Sequence, residues 1–331
     1  MSAKQLEVEE YVPVQQVHRG ATHVSLRRGD SVRVRSLEQI MATLDDQGTL
    51  EGLPFMPEMN QFCGKDFIVS SRLEKTCVEG LGARLLPNTV TLDGLRCDGA
   101  AHDGCQRACT LLWKESWLEP ITNTKEQVSA SASKLSDRDK AFPTVTAPGK
   151  YFCQSTELAK ATQYLCPLTF KRCTAEYFAG NIGLRKSIHY VWVPLVTKIK
   201  TKVFGRKSVQ PVGHARQTPS ESLGLKPGDW VEVKSLDEIA ATLDPSGFNR
   251  GLEFSPQMKP FCGGKYRVRG RIERAILEQT GAMRVMKDTV LLENVICDGH
   301  TILGGCSRAI HHYWREIWLR RSSPPARGEE I

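Results

Sequence analysis

Cysteines are the residues of this chain best suited to chemistry, and eight of its 11 lie in two similar blocks, six of them at positions that occur in both. Cys63, Cys77, Cys97, Cys105 and Cys109 belong to a first block, and Cys262, Cys297 and Cys306 to a second. Cys63 and Cys262 each precede a glycine, Cys97 and Cys297 each open a Cys-Asp-Gly turn, and Cys105 and Cys306 each begin the closing segment of their block. Thiolates ligate zinc and iron–sulfur clusters, and a histidine can complete a tetrahedral zinc set. His102 or Cys109 can do so in the first block and His300 in the second. The expected metal ligands are therefore Cys63, Cys97 and Cys105 with His102 or Cys109, and Cys262, Cys297 and Cys306 with His300. Zinc is the expected metal, and four cysteines in the first block would equally suit an iron–sulfur cluster. Neither block contains paired C-x2-C knuckles, so three thiols packed as core near a sharp turn stand as the competing reading. A thiolate–imidazole pair made of Cys97 or Cys105 with His102 is a third.

The two blocks control each other. LRRGDSVRVRSLEQIMATLDDQG returns as LKPGDWVEVKSLDEIAATLDPSG, GLPFMPEMNQFCG as GLEFSPQMKPFCG, and RCDGAAHDGCQRACTLLWKESWL as ICDGHTILGGCSRAIHHYWREIWL. A fixed repeat has to be recognised before any local reading. Cys77 stands opposite Ile276 and Cys109 opposite Ile310. A cysteine that exchanges with isoleucine behaves as a small hydrophobe, so for these two both core and ligand roles stay open.

To position these residues the sequence predicts an α+β fold. GDSVRVRS and GDWVEVKS alternate apolar and polar residues after a Gly-Asp turn, the pattern of a half-buried strand. SLEQIMATLD and SLDEIAATLD begin with a serine suited to capping a short helix. FIVSSRLEK and NTVTLDGLRC, with their counterparts, read as further strands. The closing segments CQRACTLLWKESWL and CSRAIHHYWREIWL place Cys105, Cys109, Trp113 and Trp117 four residues apart, which predicts a Trp-rich helix with a dipole that favours thiolate at Cys105 and Cys306. Each repeat looks like a small Src-homology-3-like barrel closed by that helix.

The expected domains are repeat 1 over 22–120, a Ser- and Lys-rich linker over 121–142, a basic middle segment over 143–218 and repeat 2 over 219–321, in a chain of 331 residues. The middle segment holds Cys153, Cys166 and Cys173, which either complete a site with a repeat or join the core. Between Glu176 and Glu221 it has no acidic residue and eight lysines and arginines, as many as the net charge of +8. Lys198, Lys200, Lys202, Arg206 and Lys207 are the expected contact for an acidic protein partner, while the modest overall charge argues against a dedicated nucleic-acid domain. No apolar run approaches the ~20 residues a transmembrane helix needs, and no secretory pattern opens the chain, so a cytoplasmic protein with reduced thiols is expected. P-loop, dinucleotide, nucleophile-elbow and HExxH motifs are lacking, which excludes the common enzyme templates.

The blocks FMPEMNQFCG, EKTC, RCDGAAHDGCQRACTLLWKESWL and ICDGHTILGGCSRAIHHYWREIWL resemble an uncharacterised bacterial family with a Pro-Glu-Met, Cys-Gly, Cys-Asp-Gly, Cys and Trp-(Arg/Lys)-Glu signature. That resemblance implies an association with biosynthetic gene neighbourhoods and names no reaction. Repeat 2 departs from it at Ser255, Gln257 and Ile310, which puts a second metal site in doubt. The expected function is a cysteine-ligated metal-binding tandem protein, structural or accessory to a bacterial biosynthetic pathway. The alternatives are a metal- or thiolate-dependent enzyme of specialised metabolism and a basic nucleic-acid adaptor.

Overall fold

The computed structural model describes residues 25–121, 142–165, 170–204, 211–299 and 302–325. His300, Cys166, Arg206, Lys207 and the interior of the expected linker lie outside them, as do the side chains of Lys198, Lys200 and Lys202.

The fold is α+β and rich in sheet. Strands Ser31–Val34, Asp66–Arg72, Thr89–Arg96, Thr110–Lys114 and Leu118–Pro120 form a five-stranded antiparallel sheet. The first four follow one another as neighbours, and the fifth returns to the open side of the first, where Val34 faces Leu118. Strands Trp230–Val233, Lys265–Arg271, Thr289–Leu292, Trp314–Arg315 and Leu319–Arg321 form a second sheet in the same order, with Val233 facing Leu319. Both second strands carry a bulge, between Val69 and Ser71 and between Val268 and Gly270.

Local chemistry accounts for the short helices. Ser36 Oγ accepts from Gln39 N at 3.3 Å while Gln39 Oε1 accepts from Ser36 N at 3.0 Å, a capping box that opens helix Leu37–Met41. Ser235 and Glu238 repeat it before Leu236–Ala240.

The Trp-rich closing segments are not helices. Thr110–Lys114 is a strand, Glu115–Trp117 a single 3-10 turn and Leu118–Pro120 the fifth strand, and Trp314–Arg321 repeats this course. A short strand followed by a 3-10 turn returns side chains four apart to the same core, which mimics a helical stripe in the sequence. Trp113 and Trp117 are fully buried, edge-on to Phe55 at 6.2 and 5.4 Å, and Trp314 and Trp318 bracket Phe254 at 6.1 and 5.3 Å. Trp117 and Trp318 each donate an indole N–H to a threonine, Thr43 and Thr242, at 3.0 Å. Cys105 and Cys306 therefore sit in loops, and no helix dipole acts on them.

Between the sheets, helix Gln154–Ala161 is stapled to the first. The Gln154 amide accepts from Leu112 N at 2.9 Å and donates to Leu112 O and Pro54 O at 2.8 and 3.0 Å. The chain then adds strand Gln163–Tyr164 to the hairpin of Lys75–Val78 and Gly82–Leu85. Helices Phe170–Phe178 and Leu184–Phe204 follow. Among the described residues no helix is long and apolar enough to cross a membrane.

The two hairpins that follow the second strands cross over between halves. Arg107 donates to Ile276 O at 2.8 Å, and its counterpart Arg308 donates to Cys77 O at 2.6 Å, Cys77 being the counterpart of Ile276. Lys75 reaches Leu303 O at 3.1 Å, and its counterpart Arg274 reaches Asp103 O at 3.0 Å. Each half thus supplies a wall to the cysteine loop of the other.

Candidate functional site

The Cys-Asp-Gly loop of repeat 1 coils tightly after its strand ends at Arg96. Cys97 N donates to Cys109 O at 2.8 Å, His102 N to Gly99 O at 2.9 Å and Cys105 N to His102 O at 3.1 Å. Gly99 has φ +72°, and a Cβ there would lie 2.1 Å from Cys105 O. Both facts demand glycine. Gly99→Ala is expected to cost about 1–3 kcal/mol through this strain, read as a lower urea midpoint at unchanged slope.

The coil delivers Cys97 and His102 to Glu58. Glu58 lies in the 3-10 turn Pro57–Phe62, whose opening proline holds Met56 extended. His102 Nδ1 is 2.5 Å from Glu58 Oε1, Cys97 Sγ is 3.8 Å from the same oxygen, and Ala101 N donates to it at 3.2 Å. The ligand atoms of Glu58, Cys97 and His102 all lie within 4.8 Å of one another, a group that could hold a metal ion. His102 is 1% exposed and Glu58 6%. Glu58 Oε2 is buried and has no hydrogen-bond partner among the described residues.

His102 Nε2 lies 3.0 Å from the carbonyl oxygen of Phe152. A carbonyl only accepts, so Nε2 carries the hydrogen and Nδ1 is the nitrogen that turns to Glu58 and Cys97. A histidine that donates its far N–H to a backbone carbonyl is oriented as metal-ligating histidines are. Burial opposes the imidazolium, but the hydrogen bond and charge of Glu58 outweigh it and raise His102 above its usual range. Burial likewise opposes the Glu58 carboxylate, and the His102 bond and charge together with backbone N–H bonds outweigh it and lower Glu58 below its usual range. Burial, then the Glu58 charge, pushes the Cys97 thiol up. Without a metal the three groups hold a proton between His102 and Glu58 beside a neutral thiol. Both ring nitrogens of His102 lie against oxygens, Nδ1 on Glu58 and Nε2 on Phe152.

A cavity of about 40 Å³ adjoins the group, lined by Cys97, His102, Cys105, Cys109 and Cys153 among mainly apolar neighbours. It has room for about three or four waters at ~10–15 Å³ each. Cys153 caps helix Gln154–Ala161, and burial pushes its thiol up to about 11. Ile276 of the other half donates its N–H to Cys105 Sγ at 3.5 Å.

Of the residues expected as ligands, Cys97, His102, Cys105 and Cys109 are brought together, and Cys153 joins them from the middle segment. Cys63 and Cys262 are not, since each ends a 3-10 turn and packs against the core of its own half. Cys297 and Cys306 meet Cys77 instead. The Cys77 thiol hydrogen-bonds to Cys306, which lowers Cys306 and raises Cys77 as the pair shares one proton, and Cys297 is near enough to perturb Cys77. Among the described residues the group around Cys97 is not repeated in that half: Gln257 stands where Glu58 does, and Ile302, whose N–H meets Gly299 O at 2.9 Å, stands where His102 does. Glu58 is the member of this group that cysteine spacing could not find. Its signal was the exchange of Pro-Glu-Met for Pro-Gln-Met between the repeats.

Comparison with family models, curated proteins and solved structures returns no match for this chain.

Proposed function

We propose that this chain is a metal-binding protein whose centre is Glu58, Cys97 and His102, filled by a zinc-class divalent ion with its fourth position on the cavity side. The observation that carries the reading is the Nε2–H bond to Phe152 O, which leaves Nδ1 aimed at a thiol and at a carboxylate with one unpartnered oxygen. A mixed Cys, His and carboxylate set suits zinc. The ion would supply the positive charge that lets Cys97 ionise in a buried place. The small volume of the cavity supports a structural or accessory role over catalysis on a large substrate. Such a centre would tie together the 3-10 turn, the cysteine loop and the middle segment. The sequence resemblance supports placing that role in a bacterial biosynthetic pathway. The strand order, with a fifth strand returning through a 3-10 turn to the first, supports the small-barrel reading of each repeat. For helix Leu184–Phe204, exposed Ile188, Trp192 and Ile199 beside its basic residues support contact with an acidic protein partner.

A second reading rests on a separate observation. Four thiols line one cavity, yet among the described residues no three of them lie mutually within 4.8 Å, whereas thiolates on one tetrahedral zinc stand about 3.8 Å apart. Their number matches the four thiolate ligands of an iron–sulfur cluster, on Cys97, Cys105, Cys109 and Cys153. Metal analysis and absorption of protein purified without oxygen separate the two. About one colourless zinc per chain, lost in His102→Gln, supports the first. Iron with acid-labile sulfide and visible absorption, retained in His102→Gln, replaces it with the second, and metal-free protein removes both.

A further inference from the structure

Beyond the metal centre, the two halves differ most in the groove between the hairpins that flank the third strand of each sheet. In repeat 1 this groove is full. Helix Gln154–Ala161 lies over strand Leu53–Pro54, with Ala161 backbone 3.3 Å from where a Gly52 Cβ would stand, and Arg84 bonds Thr162 Oγ1 and O at 2.7 and 2.8 Å. There the buried cation Lys114 meets Glu51 at 2.6 Å.

In repeat 2 the same groove is an open cleft of about 590 Å³, within the size range of small-ligand sites. The charge balance changes as well. Arg315 stands in place of Lys114, and Arg250 in place of Glu51. The cleft is lined by Arg107, Arg250, Arg284, Lys287 and Arg315, against the carboxylates of Glu79 and Glu253. Arg315 is 8% exposed, and its guanidinium bonds only neutral acceptors: Lys287 O at 2.7 Å, Thr289 Oγ1 at 2.9 Å, Arg250 O at 2.9 Å and Asn249 O at 3.4 Å. Among the described residues Arg250, Arg284, Lys287 and Arg315 form no ion pair. A buried guanidinium without a counter-ion is costly, and the planar fork of arginine matches phosphate and carboxylate oxygens. Phe248, Leu252 and Met286 give the cleft an apolar side as well.

We infer that this cleft binds a small organic molecule carrying a multiply charged oxyanion, a phosphate ester or a dicarboxylate. The anion meets Arg315 and Arg250, and the carbon skeleton lies on Leu252 and Met286. The cleft shares Arg107 and Ile276 with the wall of the thiol cavity, but the inference stands whether or not a metal occupies that cavity.

Calorimetric titration of the full chain with inorganic pyrophosphate and with succinate tests this. Wild type is expected to bind at least one probe, more weakly as salt rises. Arg250→Glu is expected to weaken binding by ~10-fold or more without loss of thermal stability, because the new carboxylate reaches Arg315 as Glu51 reaches Lys114. Arg216→Glu, the same charge change at an exposed residue off the cleft lining, should leave binding unchanged. Pyrophosphate without succinate assigns a phosphate ligand, and the reverse a dicarboxylate. Equal binding by wild type and Arg250→Glu overturns the inference. So does a wild type that binds neither probe, including the case in which it binds only a poly-glutamate peptide.

Discussion

Replacing Glu278 by glutamine is expected to destabilise the protein by about 3–5 kcal/mol, because it leaves a buried guanidinium without its counter-ion. Glu278 is 5% exposed and takes Arg308 through both oxygens, at 2.6 and 3.1 Å. It also accepts from Ser155 Oγ at 3.1 Å and from Glu79 N at 2.9 Å, so one carboxylate ties repeat 1, the middle segment and repeat 2. Burial works to raise its pKa, and the charge and hydrogen bonds of Arg308 outweigh that and lower it below the ordinary 4.5. The folded value lies under the unfolded one, so the stabilisation is complete above the ordinary carboxylate range and is lost as pH falls through the folded value. Urea unfolding of wild type and Glu278→Gln should therefore differ most at neutral pH and converge in acid. A difference below about 1 kcal/mol, or one that does not change with pH, would show that the pair contributes no more than an exposed one.

Chelation of the proposed metal should have the second large effect. An ion bound only by the folded state, at 1,000 times its dissociation constant, contributes about 4 kcal/mol. Wild type should lose thermal stability on chelation, while Cys97→Ser and His102→Gln should begin lower and no longer respond. Metal entry must displace the Cys97 proton and the proton between His102 and Glu58, so affinity is expected to rise with pH. Chelator shifts of equal size in wild type and variants would remove these residues from the ligand set.

What the sequence made legible is what short-range chemistry decides. The capping boxes at Ser36 and Ser235, the alternating strands and the Cys-Asp-Gly turns follow from neighbours within a few residues. The Trp-rich segment misled because a four-residue apolar spacing is shared by a helix and by a strand that ends in a 3-10 turn. The candidate site was half visible. Cys97 and His102 belong to one coil, but Glu58 arrives from 44 residues away and the Phe152 carbonyl from 50, with no pattern in the chain to pair them. The contact of Cys105 with Ile276 spans 171 residues and depends wholly on how the halves pack. Cys77 shows the same limit. Its exchange with Ile276 read as a property of one repeat, yet each of the two residues sits against a cysteine of the opposite half.

Because every cysteine loop borrows a wall from the other half, neither half has a complete surface of its own to fall back on. Opening one side strips hydrogen bonds from the loop that remains, through Arg107 and Ile276 in one direction and Arg308 and Cys77 in the other. The free energy of the contact is thus counted in the stability of both halves at once. The chain is therefore expected to melt as a single cooperative unit, with one transition in calorimetry, although its sequence is written in two.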